Sequence, residues 1–516
     1  FFNPTPAYPI LSGLVGSEMC IRDSLTKRDK VNKISVLAID LGGESGRVIK
    51  MDFDGVKFYL EEFHRFPNLP VEASGTTYWD VLSLWHEIQS GIAKSSSVNS
   101  LGVDSWGVDF ALLDSHGKLL SNPLHYRDKC SEGMMEWVFQ RVSRKTLFER
   151  TGNQSILLNG LYRLAYLAKM KSSVLEACDT FLTIADLFNY WLTGNKSCEY
   201  THVTTQQLYN PNKQDWDFET MEALGIPDKI FPDVLKPGTK IGNYQKIPVI
   251  LPACHDTASA VVSVPSNTRD SAFLSSGTWS LLGIELDELI LNDQALEANL
   301  TIEGGYGGTN RFLQNIAGLW LVQQSVKTWA EEGNPVSYDQ TVFMAESATP
   351  FKAFIDPDLP EFHPPRDMPL RIREFCRQSG QYVPESREEI LRVIYESLAL
   401  KYRYFLEILI KVSGVEVKTL HVLGGGSKNR LLNQFCSNAM QIPVVAGPAE
   451  ATSIGNAMVQ LMALGEIGNH EQARRIITDS AELEYFEPNQ GGIWNEQFEK
   501  YNEVIIGTMK TYHDMR

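Results

Sequence analysis

The chain has 516 residues, with a hydrophobic fraction of 43% and a charged fraction of 21%, so two domains with ordinary globular cores are expected. The formal net charge of -16 argues against nucleic acid and anionic membranes as partners, because both favour basic surfaces. The seven cysteines are scattered and form no C-x-x-C motif, which favours a reducing, cytoplasmic compartment over a disulfide scaffold or a zinc site.

The first predicted features are an extension and an antiparallel meander. Residues 1–24 lack a basic start, a long apolar run and a clear period, so we expect residues 1–33 to be a disordered or artefactual extension. Between residues 34 and 60 the pattern is strand, turn, strand, turn and strand, which is typical of a meander. Apolar residues at helical spacing then predict helices, in chain order, over 79–94, 131–150, 160–172 and 184–194, with a strand at 101–110 between the first two.

The second half of the chain begins after a predicted hinge at residues 265–270, which contain proline, serine and asparagine. The elements that follow are predicted, in chain order, as a hairpin at 276–278, a loop over 304–308, helices over 315–329 and 386–413, and strands at 419–423 and 443–445 that each precede a helix. Both halves thus combine an antiparallel hairpin with β-α-β units. This outline predicts a duplicated α/β domain, with lobes at 34–264 and 271–490 and a helical tail at 491–516.

Two similar strand–turn–strand patterns stand out, one in each predicted lobe. The first runs from Asp40 to Arg47 (DLGGESGR), and the second from Ser275 to Ser280 (SSGTWS). Glycine allows backbone N–H groups to approach an anion closely, and the hydroxyls add further donors. Two such hairpins facing each other would hold a polyphosphate from both sides, which predicts an ATP-dependent phosphotransferase. An ordinary surface hairpin is the alternative for the first pattern taken alone.

Several groups in and near these turns could contact a nucleotide and its metal. Asp40, at the end of a strand, could hold a hydrated Mg²⁺, because magnesium keeps several waters and is often reached by a single carboxylate. Arg47 could neutralise a transferring phosphoryl group. Residues 276–278 offer hydroxyl and amide donors to the γ-phosphate. Residues 424–426 are three glycines against which adenosine could lie, although a flexible turn explains them equally well.

Asp256 is the candidate catalytic residue. It lies in the stretch 248–264, which predicts a strand followed by a helix that starts near this aspartate. A carboxylate that accepts the proton of a sugar hydroxyl contributes roughly 10²–10⁴-fold to the rate. The helix N-terminus would favour its charged, acceptor form, and the alternative is a simple N-cap role. The adjacent His255 could donate to a sugar hydroxyl or cap a local carbonyl.

The strand over residues 102–109 is the candidate for facing a sugar. Carbohydrates pair with an indole face and with carboxylates that accept from several hydroxyls, and this strand offers Trp106 together with two aspartates. Packing of Trp106 in the core is the alternative.

In their order along residues 34–490, these motifs resemble those of the FGGY carbohydrate kinases, which have the actin/hsp70-like (ribonuclease H-like) α/β fold with a catalytic cleft between two lobes. The matching segments are DLG with SGR (40–47), GVDSWGVDF (102–110), HYRD (125–128), DLFNYWLTG (186–194), HDTASA (255–260), SGTWS (276–280), NIAGLW (315–320) and GGG (424–426). No P-loop motif and no protein-kinase H-R-D or D-F-G set is present in the sequence, which excludes those two classes of ATP site.

The resemblance implies roles for individual residues. Asp256 would be the proton acceptor. The residues implied to contact ATP are Gly43, Glu44, Ser45, Gly46, Arg47, Thr278, Gln323 and Gly425. The residues implied to contact the sugar are Gly107, His255, Asp256, Thr257 and Asn315.

The reaction implied is transfer of the γ-phosphoryl group of ATP, with Mg²⁺, to the 1-hydroxyl of L-rhamnulose, by a cytoplasmic monomer or homodimer. A kinase for another ketose, such as L-fuculose or xylulose, and a non-catalytic sugar or nucleotide sensor on the same fold are the alternatives.

Two segments depart from the commonest family pattern. Gly43 and Glu44 replace a small Ala-Ser-like pair, and a glutamate there would repel a polyphosphate unless it points outward or orients a metal-bound water. Residues 153–155 are polar where an apolar stretch is expected.

Overall fold

The computed structural model describes residues 33–95 and 97–514, so the extension predicted for residues 1–33 lies outside the described residues apart from Lys33. Within the described residues each half of the chain builds one large mixed sheet. The strands of the first half are β1 (Ile34–Leu41), β2 (Ser45–Phe53), β3 (Phe58–Pro67), β4 (Pro70–Ala73), β5 (Thr76–Trp79), β6 (Ser100–Ser105), β7 (Phe110–Leu113), β8 (Thr180–Thr183), β9 (Cys198–Glu199), β10 (Tyr209–Asn210), β11 (Asp215–Trp216), β12 (Val234–Leu235), β13 (Lys240–Tyr244) and β14 (Ile247–Ile250). The strands of the second half are β15 (Ser271–Ser276), β16 (Trp279–Leu286), β17 (Thr301–Gly304), β18 (Asn310–Ala317), β19 (Thr419–Leu423), β20 (Val444–Ala446) and β21 (Glu484–Phe486).

The first sheet has the strand order β13-β14-β6-β1-β2-β3. The predicted meander is confirmed, since β1 and β2 form an antiparallel hairpin in which Asp40 lies opposite Arg47, and β3 pairs with β2. On its other edge β1 pairs in parallel with β6, which places Asp40 beside Asp104. Side chains on both faces of β1 are buried, as expected for a central strand of a covered sheet.

The second sheet has the order β17-β18-β16-β15-β19-β20-β21 and repeats this arrangement. Its strand β15 pairs antiparallel with β16 and parallel with β19, as β1 does with β2 and β6. The hairpin predicted at 276–278 is confirmed, because the turn lies between Ser276 and Trp279. The duplication inferred from the sequence is therefore visible in the strand pairing.

The helices surround these sheets, and no helix in the described part of the chain is long and apolar enough to cross a bilayer. The long helix predicted over 386–413 is confirmed, and it begins at a capping box in which Ser386 and Glu389 each accept from the backbone N–H of the other. The helices are α1 (Val81–Lys94), α2 (Met134–Phe139), α3 (Arg144–Thr151), α4 (Gly160–Lys169), α5 (Ser173–Glu176), α6 (Ile184–Thr193), α7 (Tyr200–Val203), α8 (Phe218–Leu224), α9 (Asp256–Val262), α10 (Asp293–Glu297), α11 (Trp320–Glu331), α12 (Tyr338–Ser347), α13 (Met368–Gln378), α14 (Arg387–Ser413), α15 (Arg430–Met440), α16 (Ala451–Ala463), α17 (His470–Ser480) and α18 (Gly491–Asp514).

Two of the predicted helices are wrong in their extent. The helix predicted over 315–329 begins only at Trp320, because the preceding residues to Ala317 pair with β16 as strand β18. The helix predicted over 131–150 is two helices, α2 and α3, because Ser143 caps the start of α3 by accepting from the N–H of Thr146.

The helices α9 and α16 pack against each other between the two sheets. Helix α9 contacts β15 of the second sheet, and α16 contacts β1 and β6 of the first sheet. Ala258 of α9, Ala457 of α16 and Val36 of β1 belong to one buried apolar cluster. The helix backbones approach closely at Gly455, where an added Cβ would lie 1.7 Å from the carbonyl oxygen of Ser259. Small side chains thus allow α16 to hold α9 in place.

We predict that Gly455→Ala lowers the free energy of unfolding by about 1–3 kcal/mol, because the added methyl group overlaps the backbone of α9. Gly492→Ala is the matched control, since Gly492 lies in α18 and a Cβ there meets nothing within 4 Å in the described structure. Thermal unfolding followed by circular dichroism measures both. An unchanged melting temperature for Gly455→Ala would contradict the close packing of α9 on α16.

Candidate active site

Three aspartates converge where parallel chain segments of the first sheet end. Asp40 of β1 and Asp104 of β6 are neighbours in register, and Ser105 forms a parallel bridge with His255, directly before Asp256. The carboxyl ends of parallel strands meet at one edge of a sheet, which brings these acids together.

The three carboxylates influence one another through burial and charge. Burial, followed by the charge of Asp40, raises the pKa of Asp104 well above its ordinary value. Burial also raises the pKa of Asp256, with the opposing effect of His255 outweighed and a further contribution from Asp40. The edge of the sheet therefore attracts positive charge, whether as a proton or as a cation.

A hydrated divalent cation fits the chemistry of this edge. Asp104 accepts from Asn456 Nδ2 through Oδ2 (2.5 Å), while its buried Oδ1 has no hydrogen-bond partner among the described residues. Within residues 33–95 and 97–514, no group of three or more His, Cys, Asp or Glu side chains could hold a metal ion by itself. A cation here would accordingly keep water ligands, which suits magnesium.

Arg47 is held by two carboxylates. Its Nε donates to Asp40 Oδ2 (2.8 Å), and its Nη1 lies 2.7 Å from Glu450 Oε2 in the loop before α16. Ser453 Oγ also donates to Asp40 Oδ2 (3.1 Å). The pKa of Arg47 is raised, first by Asp40 and then by Glu450 against the effect of burial. The guanidinium therefore lies at the acidic edge, as the sequence suggested, and it is paired there with protein carboxylates.

The turns of the two hairpins lie close enough to be joined by one side chain. Gln323 Nε2 lies 3.1 Å from Glu44 Oε2 in the first turn and 3.1 Å from Thr278 Oγ1 in the second. Glu44 is an exposed residue, but its carboxylate does not point away from the site: it contacts Gln323 between the two turns, and partial burial raises its pKa.

The glycines and the serine of these turns differ in their surroundings. A Cβ on Gly43 would have only the Tyr126 hydroxyl within 4 Å, at 3.8 Å, and one on Gly425 would meet nothing within that distance in the described structure. Gly46 is different, because its Cβ would lie 2.3 Å from the ring of Phe66, and Ser45 begins β2. Gly43 and Gly425 thus leave room for a ligand, whereas Gly46 is required for packing.

Four of the five sequence-predicted sugar contacts come together: Gly107, His255, Asp256 and Thr257. His255 Nε2 lies 3.4 Å from Asp256 Oδ1 and 3.0 Å from the position that a Cβ on Gly107 would take. Thr257 donates to Asp256 Oδ1 through its backbone N–H (2.5 Å) and its hydroxyl (3.2 Å). Asn315 lies on β18 of the other sheet and donates through Nδ2 to Gln154 Oε1 (2.8 Å).

The interpretation of the 102–109 strand as sugar-facing needs correction at two residues. Trp106 is buried, with its ring centroid 4.2 Å from that of Trp79. Asp109 is fully buried and accepts from the indole N–H groups of Trp79 (2.5 Å) and Trp106 (2.8 Å), and it pairs with Arg163 (2.8 Å). Both side chains therefore belong to the core, the alternative considered for Trp106.

Sequence reasoning did not identify several residues that contact this site. Glu303 and Arg311 approach His255 from the second sheet, and Glu450 approaches Arg47 from the loop before α16. No motif marks them, because each lies far along the chain from the residue that it contacts. Gln154 had a signal, since it lies in the unexpectedly polar stretch 153–155.

Both halves of the chain match the same family of known proteins. The N-terminal domain of the FGGY family of carbohydrate kinases matches residues 35–252, and its C-terminal domain matches residues 272–464. The rhamnulokinase of Bacteroides thetaiotaomicron is 42% identical over 487 residues, which cover 92% of this chain and 100% of that protein. The rhamnulokinase of Oceanobacillus iheyensis is 39% identical over 461 residues, which cover 87% of this chain and 97% of that protein.

Solved structures show the same fold at low sequence identity. Xylulose kinase from Lactobacillus acidophilus, with a bound ligand, aligns with a TM-score of 0.76 at 16% identity and covers 93% of this chain and 100% of its own. Plasmodium falciparum glycerol kinase with ADP aligns with a TM-score of 0.74 at 16% identity and covers 92% of this chain and 98% of its own. The predicted two-lobed α/β fold is confirmed. The chain belongs to the FGGY family of carbohydrate kinases, which are phosphotransferases with an alcohol group as acceptor.

Proposed function

We propose that this protein phosphorylates L-rhamnulose at its 1-hydroxyl with ATP as the phosphoryl donor. The observation that carries the proposal is the position of Asp256, whose carboxylate lies at the acidic edge of the first sheet beside His255 and Gly107. The choice of sugar is supported by relatives of about 40% identity over most of the chain that are named rhamnulokinases. We further infer that residues 34–264 and 271–490 form the sugar-binding and nucleotide-binding lobes.

In this proposal Asp256 takes the proton of the sugar hydroxyl as the new O–P bond forms. Its side chain is 26% exposed, which leaves it accessible to a ligand. Thr257 fixes Oδ1 through two hydrogen bonds, and the carboxylate thereby keeps its orientation. Its raised pKa makes it a stronger base than an exposed aspartate. His255, Thr257, Gly107 and Asn315 are the proposed contacts of the sugar.

The phosphates are proposed to lie between the two turns. Thr278 and Gln323 supply hydroxyl and amide donors, the backbone of residues 43–46 supplies N–H groups, and Gly425 leaves room for the nucleoside. Arg47 supplies positive charge next to the acidic edge. The carboxylate of Glu44 accepts from the side-chain amide of Gln323 and so orients it between the two turns.

Asp40 and Asp104 are the residues that would hold Mg²⁺, since Asp104 Oδ1 is buried without a hydrogen-bond partner in the described structure. Bound magnesium would neutralise charge on the polyphosphate. We place the reaction in the cytoplasm, where ATP and reducing conditions prevail, and a monomeric or homodimeric state remains a prediction.

The function is tested by measuring ADP release with Mg-ATP and a panel of acceptors: L-rhamnulose, L-fuculose, L-xylulose, D-xylulose and glycerol. A strong preference for L-rhamnulose supports the proposal. Preference for another ketose would keep the mechanism and overturn the choice of sugar. Binding of ATP without turnover of any acceptor would favour a sensor.

We predict that Asp256→Asn lowers kcat by roughly 10²–10⁴-fold, because the amide cannot accept the hydroxyl proton. The KM for the ketose should change far less, since the side-chain volume is retained. Steady-state kinetics with the preferred ketose measure both constants. Asp287→Asn is the control, because Asp287 is exposed and pairs only with the exposed Arg269 among the described residues. A near-normal kcat for Asp256→Asn would remove Asp256 from the role of base.

We also predict that Thr278→Val raises the KM for ATP, because it removes a hydroxyl from the second turn and leaves Gln323 without one of its partners. The hydrogen bond to ATP that is lost is worth about 0.5–1.5 kcal/mol. The KM for the ketose is the internal control and should stay within about twofold, since no hydrogen bond to the sugar is lost. An unchanged KM for ATP would exclude Thr278 from the nucleotide site.

A further inference from the structure

A buried ion pair of the second sheet contacts the histidine next to the proposed base. Glu303 on β17 and Arg311 on β18 lie directly opposite each other in the antiparallel ladder. Arg311 Nη2 lies 3.1 Å from Glu303 Oε2 and 3.1 Å from His255 Nδ1, and its Nε donates to the carbonyl oxygen of Gly304 (2.9 Å). Arg311 is fully buried, and Glu303 and His255 are each only 6% exposed. The guanidinium is therefore fixed against the imidazole from several directions.

The contact with Arg311 determines which ring nitrogen of His255 carries the proton. A guanidinium has N–H donors and no acceptor, so Nδ1 can bond to it only as an acceptor. A neutral imidazole with an acceptor at Nδ1 carries its proton on Nε2. Nε2 is the atom that lies 3.4 Å from Asp256 Oδ1 and beside Gly107. The N–H of His255 thus points to the side on which Asp256 and Gly107 lie.

Glu303 is the competing partner for the same nitrogen. Its Oε2 lies 3.5 Å from His255 Nδ1 and would require the opposite tautomer, whereas Arg311 Nη2 lies closer, at 3.1 Å. Glu303 also faces Arg311. Burial by itself would raise the pKa of Glu303, but the opposing effects, of which the charge of Arg311 is the largest, outweigh it, so the pKa is lowered and the carboxylate stays charged. Glu303 therefore serves as the counterion that keeps the buried guanidinium in place.

We propose that Arg311, held by Glu303, is a positioning residue that fixes His255 with its proton on Nε2, so that this N–H is presented to the Asp256 carboxylate and to a sugar oxygen beside Gly107. The part played by Asp256 and the sugar rests on the proposed function. The tautomer itself follows from the contacts of Arg311 and can be measured without turnover.

The first test is the tautomer of His255 in the full-length protein labelled with ¹⁵N-histidine. The chain has ten histidines, and the His255 signals are assigned as those that vanish in His255→Gln. A proton on Nε2 with a bare Nδ1 supports the proposal. A proton on Nδ1, or on both nitrogens, at neutral pH would overturn it. Because this readout needs no substrate, it holds even if the ketose assay shows the proposed function to be wrong.

The second test is a double variant, Glu303→Gln with Arg311→Met, which removes both buried charges together and so leaves no unpaired ion. The expected result is a mixed or altered His255 tautomer and a kcat that is about 10- to 100-fold lower, the range for losing a hydrogen bond to a charged group. The single variant Arg311→Lys keeps a charged group that can donate but cannot accept a hydrogen bond. It should therefore retain part of the His255 tautomer and part of the kcat that the double variant loses. A folded double variant with normal kcat and an unchanged tautomer would overturn the proposal.

The matched control removes another Arg–Glu pair of the same half of the chain. Arg392 and Glu396 form an ion pair on α14, with side chains 12% and 0% exposed, and no contact between them and His255 occurs within the described residues. Arg392→Met with Glu396→Gln should leave the His255 tautomer unchanged. A tautomer change in this control as large as that in the Glu303/Arg311 variant would show a general effect of lost ion pairs and would overturn the specific role of Arg311.

Discussion

The convergence of three carboxylates at one edge of the first sheet is the constraint on which the rest of the site depends. Asp40, Asp104 and Asp256 meet because parallel segments end together, and like charges in a poorly solvated place repel strongly. The surrounding groups offset this repulsion: Arg47 pairs with Asp40, and Asn456 donates to Asp104. The negative potential that remains at this edge favours the binding of a cation and increases the proton affinity of Asp256.

The duplicated sheets differ in chemistry at equivalent positions. In the first sheet, Asp40 has Asp104 beside it on the parallel strand, whereas in the second sheet Ser275, at the equivalent position, has Leu423. The first half thus contributes acids, and the second half contributes the neutral donors of Thr278 and its turn. One strand arrangement used twice provides an acidic, cation-attracting edge in the first sheet and a donor-rich edge in the second.

Much of this arrangement could be predicted from the sequence, because it is encoded locally. Both hairpins, the helix that starts at Asp256 and the long helix over 386–413 follow from turn residues, capping residues and apolar periodicity. The true start of the helix predicted over 315–329 could not be obtained in this way. Its first residues form strand β18 instead, and that strand is formed by pairing with β16. Burial of Trp106 depends likewise on Trp79, which lies on another segment.

The polar stretch 153–155 shows how a departure from a family pattern can be explained by a single contact with a residue that is distant in the sequence. Gln154 accepts from both the backbone N–H (3.3 Å) and the side-chain amide (2.8 Å) of Asn315, a proposed sugar contact on the other sheet. An apolar residue at 154 would leave these donors without that acceptor, so the polar residue is required by its distant neighbour.

Several contacts around the proposed base come from the half of the chain that does not contain it. Arg311 reaches His255 from β18, Asn456 reaches Asp104 from α16, and α16 itself supports α9 through the close approach at Gly455. Such contacts form only when the two halves are packed together. The orientation of the acid and its neighbouring histidine is therefore a property of the assembled cleft, and neither sheet could establish it alone.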